Sequence, residues 1–117
     1  MTTIVELLRA RAARASRAPH GDGARIALCV EGGAMRGVVS AGMVSALEEL
    51  GLVDTFDAVY GSSAGAINAA YFLAGQAAFG TTIYVEDINN RRFISLARML
   101  TGRRTRALIA LAGITAQ

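Results

Sequence analysis

Two short apolar runs, each closed by glycine and each followed by a helix-like stretch, constrain this chain more than any other feature. The first is "ARIALCVEGG" at residues 24–33, a continuous apolar run ended by Gly32 and Gly33. That pattern suits a buried parallel strand running into a tight loop. Residues 38–50 then place Val39, Met43, Ala46, Leu47 and Leu50 on one helical face, with Gly51 as a stop. The second run, "DAVY" at residues 57–60, is a short strand, and Gly61 opens a turn into a largely buried helix over residues 64–78. The order β–loop–α–β–turn–α predicts a parallel, right-handed crossover unit, and with it the α/β fold class.

The length of 117 residues predicts one domain with a real but small core. Hydrophobic residues make up 53% and charged residues 18%, which excludes a disordered chain. So few charges imply mostly buried elements, as in an α/β protein, or part of a larger core that is incomplete here. No charge falls between Ala58 and Val85. A membrane span needs about 20 mostly apolar residues. This stretch contains Gly61, Gly65, Gly75 and Gly80 with several Ser, Thr, Asn and Gln, so a buried helix is the favoured reading over a span. The N-terminus has no apolar signal region. The expected location is cytoplasmic, with peripheral contact to a membrane.

The net charge of +3 is carried by arginine, since the chain has no lysine. Arg9, Arg11, Arg14 and Arg17 cluster near the start, and Arg103, Arg104 and Arg106 near the end. Solvated helix faces are the plainer reading of these clusters, ahead of an anionic lipid surface or nucleic acid. No aromatic residues interleave with the arginines, so no nucleic-acid partner is expected. A lone Cys29 can form neither an internal disulfide nor a paired-cysteine metal site, and reads as a small core hydrophobe in the first strand.

Residues 1–24 form an N-terminal helix and loop preceding the unit at 25–117. The helix is expected over residues 2–17, capped by Thr2 or Thr3, and "APHGDG" at 18–23 is the loop. "LVDTF" is a connection. Beyond Gly80, "TTIYVEDINN" is a strand or a helical turn, with helix favoured. "RRFISLARML" is helix-like, "TGRRTR" breaks it, and "ALIALAGITAQ" is a short apolar tail.

Gly61-Ser62-Ser63-Ala64-Gly65 matches G-x-S-x-G between a strand and a helix. A serine on a sharp strand-to-helix turn sits in a strained backbone geometry, and only small neighbours, here Gly61 and Gly65, let the turn close with the hydroxyl exposed. The helix N-terminus then favours negative charge nearby. "EGGAMRG", residues 31–37, also joins a strand to a helix, and its glycines allow backbone N–H groups to approach an oxyanion. It is not a P-loop, because Val38-Val39 follows Gly37, and it breaks the dinucleotide pattern at the third position. The single histidine, His20, precedes both motifs, against the Ser–Asp–His order of a hydrolase triad, and reads as a solvated loop residue. A carboxylate can still take the proton directly.

Together, "EGGAMRGVVSAG", "LEELGL" and "FDAVYGSSAGAINAAYFLAG" resemble the N-terminal part of patatin-like phospholipases, over residues 25–100 and most strongly over 31–76. The resemblance implies a partial three-layer α/β/α fold with a parallel βαβ core and a nucleophile elbow. It implies a serine acyl hydrolase acting on lipid or phospholipid esters through a Ser–Asp dyad, with no cofactor and no metal. By position, Ser63 is the nucleophile, backbone N–H groups around Gly32, Gly33 and Ala34 form the oxyanion hole, and Arg36 takes the basic position of the loop. Arg36 as a plain solvated cation is an equal reading. Glu31 stands where many members have Asp, and Ala34 where many have a third glycine. The family's base lies in a later D-G-G or D-G-A motif. The sole Asp-Gly pair is Asp22-Gly23, upstream of both motifs, while Asp54, Asp57 and Asp87 lack the following glycine. The expectation is an incomplete domain with little turnover by itself. The alternative is an inactive module that binds a membrane surface or a partner protein. The sequence leaves oligomeric state open.

Overall fold

The computed structural model describes residues 1–15 and 17–87. These fall into one unit from Met1 to Thr81 and a second that begins at Thr82. The helix expected from "RRFISLARML", the apolar tail, and Arg103, Arg104 and Arg106 lie outside the described residues.

Helix α1 covers Ile4–Arg14. Thr3 caps it: its hydroxyl accepts the Glu6 amide at 3.2 Å, and the Glu6 carboxylate accepts the Thr3 amide at 2.8 Å. This reciprocal pair satisfies two otherwise orphaned donors. Ala15 at φ 49° ends the helix in a left-handed residue, short of the expected Arg17. Strands β1 (Ala27–Val30) and β2 (Ala58–Gly61) then pair in parallel, with Ala27 opposite Ala58 and Val30 opposite Gly61. The α/β expectation therefore holds.

Between the strands run a 3₁₀ turn at Ala34–Arg36, helix α2 (Gly37–Glu49) and a second 3₁₀ turn at Val53–Thr55. Gly51 stops α2 as expected. At φ 71° it donates to the Glu48 carbonyl, and Leu52 donates to that of Leu47, the paired closing bonds of a Schellman cap. After β2 come α3 (Ala64–Leu73) and α4 (Ala77–Thr82), where a single helix over 64–78 was expected. Gly75, at φ 66°, makes the same kind of stop, and Gln76 donates to the Tyr71 carbonyl at 2.9 Å. The Glu48 carboxylate accepts the Ala77 amide at 2.8 Å and so tethers the start of α4 to α2. The second unit opens with a π-helical turn at Ile83–Asp87, the helical side of the two readings for that stretch.

Val30, Val44, Ala69, Phe72 and Ala77 form the core, ringed by Leu28, Leu47, Val53, Phe56 and Val59. Phe72 is fully enclosed and meets Phe56 edge-on, with ring centroids 6.1 Å apart. Helix α2 buries Gly37, Ala41 and Val44. The face that carries the sequence stripe is the outward one: Val39, Met43 and Leu50 are exposed, and Leu47 is half-buried. Helix α2 is apolar nearly all round, so periodicity does not choose a face. The small residues Gly37 and Ala41 choose it by admitting α3. Cys29 corrects a second expectation, because it lies in β1 but is exposed. Burial alternates along β1, and among the described residues nothing covers the side carrying Ala27 and Cys29.

Arg11 corrects a third. It is not on a solvated face but 1% exposed, and it fastens α1 to the N-terminal ends of both strands. Nε and Nη2 grip the Asp22 carboxylate at 2.7 and 2.8 Å. Nη1 donates to Asp57 at 2.9 Å and to the Thr55 carbonyl at 2.8 Å, and Nη2 also donates to the Ala24 carbonyl at 2.8 Å. All five guanidinium N–H donors are thus used. Asp57 also accepts the Ile26 amide at 2.7 Å. Hydrogen bonding to Arg11 holds the Asp22 carboxyl well below the usual carboxylate range, and the Ile26 amide together with Arg11 lowers that of Asp57. His20 is half-buried rather than solvated, and both of its ring nitrogens are enclosed without a hydrogen-bond partner among the described residues.

Candidate active site

Parallel pairing brings the C-terminal ends of β1 and β2 to one edge, where open α/β sheets bind ligands. The segment Glu31–Gly33 leaves one strand there, and Ser62–Ser63 leaves the other. The two motifs, about 30 residues apart in sequence, therefore meet.

Ser63 adopts φ 53° and ψ −128° at the start of α3. Such a conformation costs a residue with a Cβ about 1–3 kcal/mol and persists where its surroundings enforce it. A serine at this position ordinarily turns its hydroxyl onto an amide of the first helical turn. Ser63 makes no such bond, and it is exposed. The backbone twist swings the side chain off the helix and leaves Oγ available.

Two glycines enforce the twist. A Cβ on Gly65 would strike the Val30 carbonyl oxygen and come within 2.6 Å of the Glu31 carbonyl carbon. A Cβ on Gly61 would come within 2.6 Å of the Ala66 Cα. The first turn of α3 therefore lies directly on the ends of both strands. Gly65 donates to the Ser62 carbonyl and Ala66 to that of Ser63, each at 2.9 Å, which locks the bend.

The glycine loop sits against this bend. A Cβ on Gly32 would strike the Ser62 carbonyl oxygen and lie 2.9 Å from the Ser63 Cβ. Gly33 at φ 138° and Ala34 at φ 51° turn the chain sharply into the 3₁₀ segment. Among the described residues, no backbone hydrogen bond uses the amides of Gly32, Gly33 or Ala34. These are unpaired donors next to an unpaired hydroxyl. The Ala64 amide, first in α3, is also unpaired. Sequence reasoning passed over it, although the residue after an elbow nucleophile is a standard oxyanion donor. The α3 N-terminus adds positive potential at the same point.

Arg36 is exposed, and its guanidinium lies over Gly33, with Nε 3.3 Å from where a Cβ would stand. A groove of about 460 Å³ begins here and runs between β1 and the outward side of α2, past Val39, Met43 and Leu47. Its wall is apolar except at the mouth, where Glu31, Arg36 and Ser40 stand.

Among the described residues of the first unit, the groups weighed as bases are placed away from Ser63 or engaged elsewhere. Asp22, Asp57 and His20 gather at the opposite ends of the strands, roughly 13 Å away for four extended residues. Asp22 and Asp57 are committed to Arg11. Asp54 makes an exposed contact to Arg17 at 3.4 Å, a pairing worth little in water. Among the described residues, no three metal-ligating side chains cluster, and no helix is long and apolar enough to cross a membrane.

A family model described as patatin-like phospholipase matches residues 28–115, spanning both motifs. No curated protein and no solved structure matches the chain.

Proposed function

The chain belongs to the patatin-like phospholipase family, and from that premise we propose that Ser63 is the nucleophile of a lipid acyl hydrolase whose oxyanion hole is built from the amides of Gly32, Gly33 and Ala34. At family level the activity is hydrolysis of lipid esters. The observation that carries the residue assignment is the combination at one strand end: a serine at φ 53° with an uncommitted hydroxyl, beside a loop whose amides are also uncommitted.

The chemistry follows from that arrangement. Ser63 Oγ forms a bond to the acyl carbonyl carbon as its proton passes to a carboxylate base. The carbonyl π electrons move onto oxygen, and the loop amides stabilise the resulting negative charge. Collapse of the tetrahedral intermediate expels the alcohol portion of the lipid, which takes up the proton. Water then attacks the acyl-serine by the same route in reverse and releases a fatty acid. Each oxyanion donor contributes on the order of a hundredfold in rate. The apolar groove starting at Gly32 offers a surface for the acyl portion, and Arg36 at its mouth a cation for an anionic head group.

The base is an Asp in the Ser–Asp dyad of the resemblance. The one D-G-A, Asp22-Gly23-Ala24, precedes both motifs, no D-G-G or D-G-A follows Ser63 in these residues, and Asp22 and Asp57 are both spent on Arg11. Two levels of activity follow. Ser63 itself is reactive, but ester turnover by these 117 residues is small. Labelling with a fluorophosphonate probe tests the first level. Modification at Ser63 should be absent in Ser63→Ala and should quicken when formate is added as a substitute base. Equal labelling of the wild type and Ser63→Ala would refute the reading.

A second reading, a non-hydrolytic binding module, is favoured by one observation: the exposed apolar residues Val39 and Met43 on α2 and Leu50 just past its end. Salt-insensitive sedimentation with neutral liposomes, retained in Ser63→Ala and lost in Val39→Asp/Met43→Asp, would support it.

A further inference from the structure

We infer that Asn68 and Ser40 are positioning residues that fix the direction of the Gly32 amide, and with it the oxyanion hole. The inference rests on the reading of Gly32 as an oxyanion donor.

Asn68 lies in α3, five residues after Ser63, and is only 2% exposed. A buried amide side chain needs partners, and both Nδ2 protons have them. One goes to the Gly37 carbonyl at 2.8 Å and the other to Ser40 Oγ at 2.9 Å. The Ser40 hydroxyl accepts that bond and has one proton of its own. Two carbonyl acceptors lie within its reach, Gly37 at 3.0 Å and Glu31 at 3.2 Å, and the single proton is shared between them. The nucleophile helix is thereby linked through two side chains to the last peptide before the glycine loop.

The final link is covalent. The Glu31–Gly32 peptide is planar, and its C=O and N–H point in opposite directions. Holding the Glu31 carbonyl toward Ser40 therefore aims the Gly32 N–H the other way. Gly32 has no Cβ to restrict its own rotation, and its amide has no partner to hold it. The register between α3 and this carbonyl is already tight, since a Cβ on Gly65 would lie 2.6 Å from the Glu31 carbonyl carbon. The same Cβ would lie 2.6 Å from the Glu31 carbonyl oxygen, so packing against Gly65 confines this peptide on one side and the Asn68–Ser40 relay holds it on the other.

The experiment compares the full chain with Ser40→Ala, Asn68→Leu and Ser40→Thr, each first shown to be folded by its melting transition. Two readouts are taken. The first is the NMR order parameter of the Gly32 amide, expected near 0.85 in the wild type and Ser40→Thr and below about 0.6 in Ser40→Ala and Asn68→Leu. The second is the fluorophosphonate labelling rate at Ser63, expected to fall at least tenfold in the same two variants and to be retained in Ser40→Thr. Ser40 is only partly buried, so Ser40→Ala tests the relay even where Asn68→Leu does not fold. A Gly32 order parameter unchanged in folded Ser40→Ala overturns the inference. Labelling of wild type no faster than Ser63→Ala instead overturns the hydrolase reading and leaves the Gly32 amide signal to decide the relay.

Discussion

The two ends of one short parallel sheet treat their polar groups in opposite ways. At the N-terminal end, Arg11 spends all five donors on Asp22, Asp57, Thr55 and Ala24, and the carboxylates take further backbone amides. At the C-terminal end, four amides and the Ser63 hydroxyl have no partners among the described residues, and Ser63, Ala34 and Gly33 sit at positive φ. The first end holds an N-terminal helix to the sheet. The second leaves its amide donors and its serine hydroxyl uncommitted. The strands are short enough that both arrangements rest on the same core, so stability at one end supports strain at the other.

That contrast can be broken from either side. The largest effect should come from Arg11→Ala, which strands two carboxylates around an empty site. A loss of about 3–5 kcal/mol is expected, read by urea unfolding, and it is enough to unfold much of a unit this small. A loss under about 1 kcal/mol would mean the cluster does not anchor α1. Next comes Gly65→Ala at the other end. Its Cβ would meet the Val30 carbonyl, so about 1–3 kcal/mol of stability should go. Fluorophosphonate labelling should fall further than stability alone explains, because the Ser63 bend opens.

Acid should act on the paired end alone. Asp22 and Asp57 are both held below their ordinary value of 3.8. Their contribution is therefore complete above that value and drains away as pH falls toward the lower folded-state values. The melting temperature should be level from about pH 7 to about pH 5 and drop below about pH 4, with Asp22→Asn flattening the acid limb. An unchanged acid limb in that variant would place the titrating groups elsewhere. The smallest effect belongs to Ser63→Gly. Removing the Cβ relieves the positive-φ strain while adding backbone freedom to the unfolded chain, for a net gain of roughly 1 kcal/mol. Labelling is abolished at the same time, a stability gain paired with loss of reactivity.

The functional end was far more legible in the sequence than the structural end. Gly32, Gly33, Gly61, Ser63 and Gly65 announce themselves because a tight approach admits few residue types, and the strand–helix punctuation around them is local. Arg11 gave no such signal. It shares its helix with Arg9 and Arg14, and its partners Asp22 and Asp57 stand 11 and 46 positions away. His20 is enclosed beside the same cluster, and nothing in its loop foretold that. The buried face of α2 was hidden because Val39, Met43 and Leu50 outweigh Gly37 and Ala41 in any hydrophobic pattern. Close helix packing selects for the small residues instead. Cys29 followed the wrong side of β1 for a related reason: a continuous apolar run does not say which face is covered. The Asn68–Ser40–Glu31 relay joins three elements, and each member alone is an ordinary polar residue.

A crystal structure of the chain after reaction with a fluorophosphonate tests most directly whether these two motifs form one reaction centre. The adduct should sit on Ser63 Oγ with its phosphoryl oxygen 2.7–3.1 Å from amides of Gly32, Gly33 or Ala34. A phosphoryl oxygen turned to solvent, or an adduct on another residue, would contradict it.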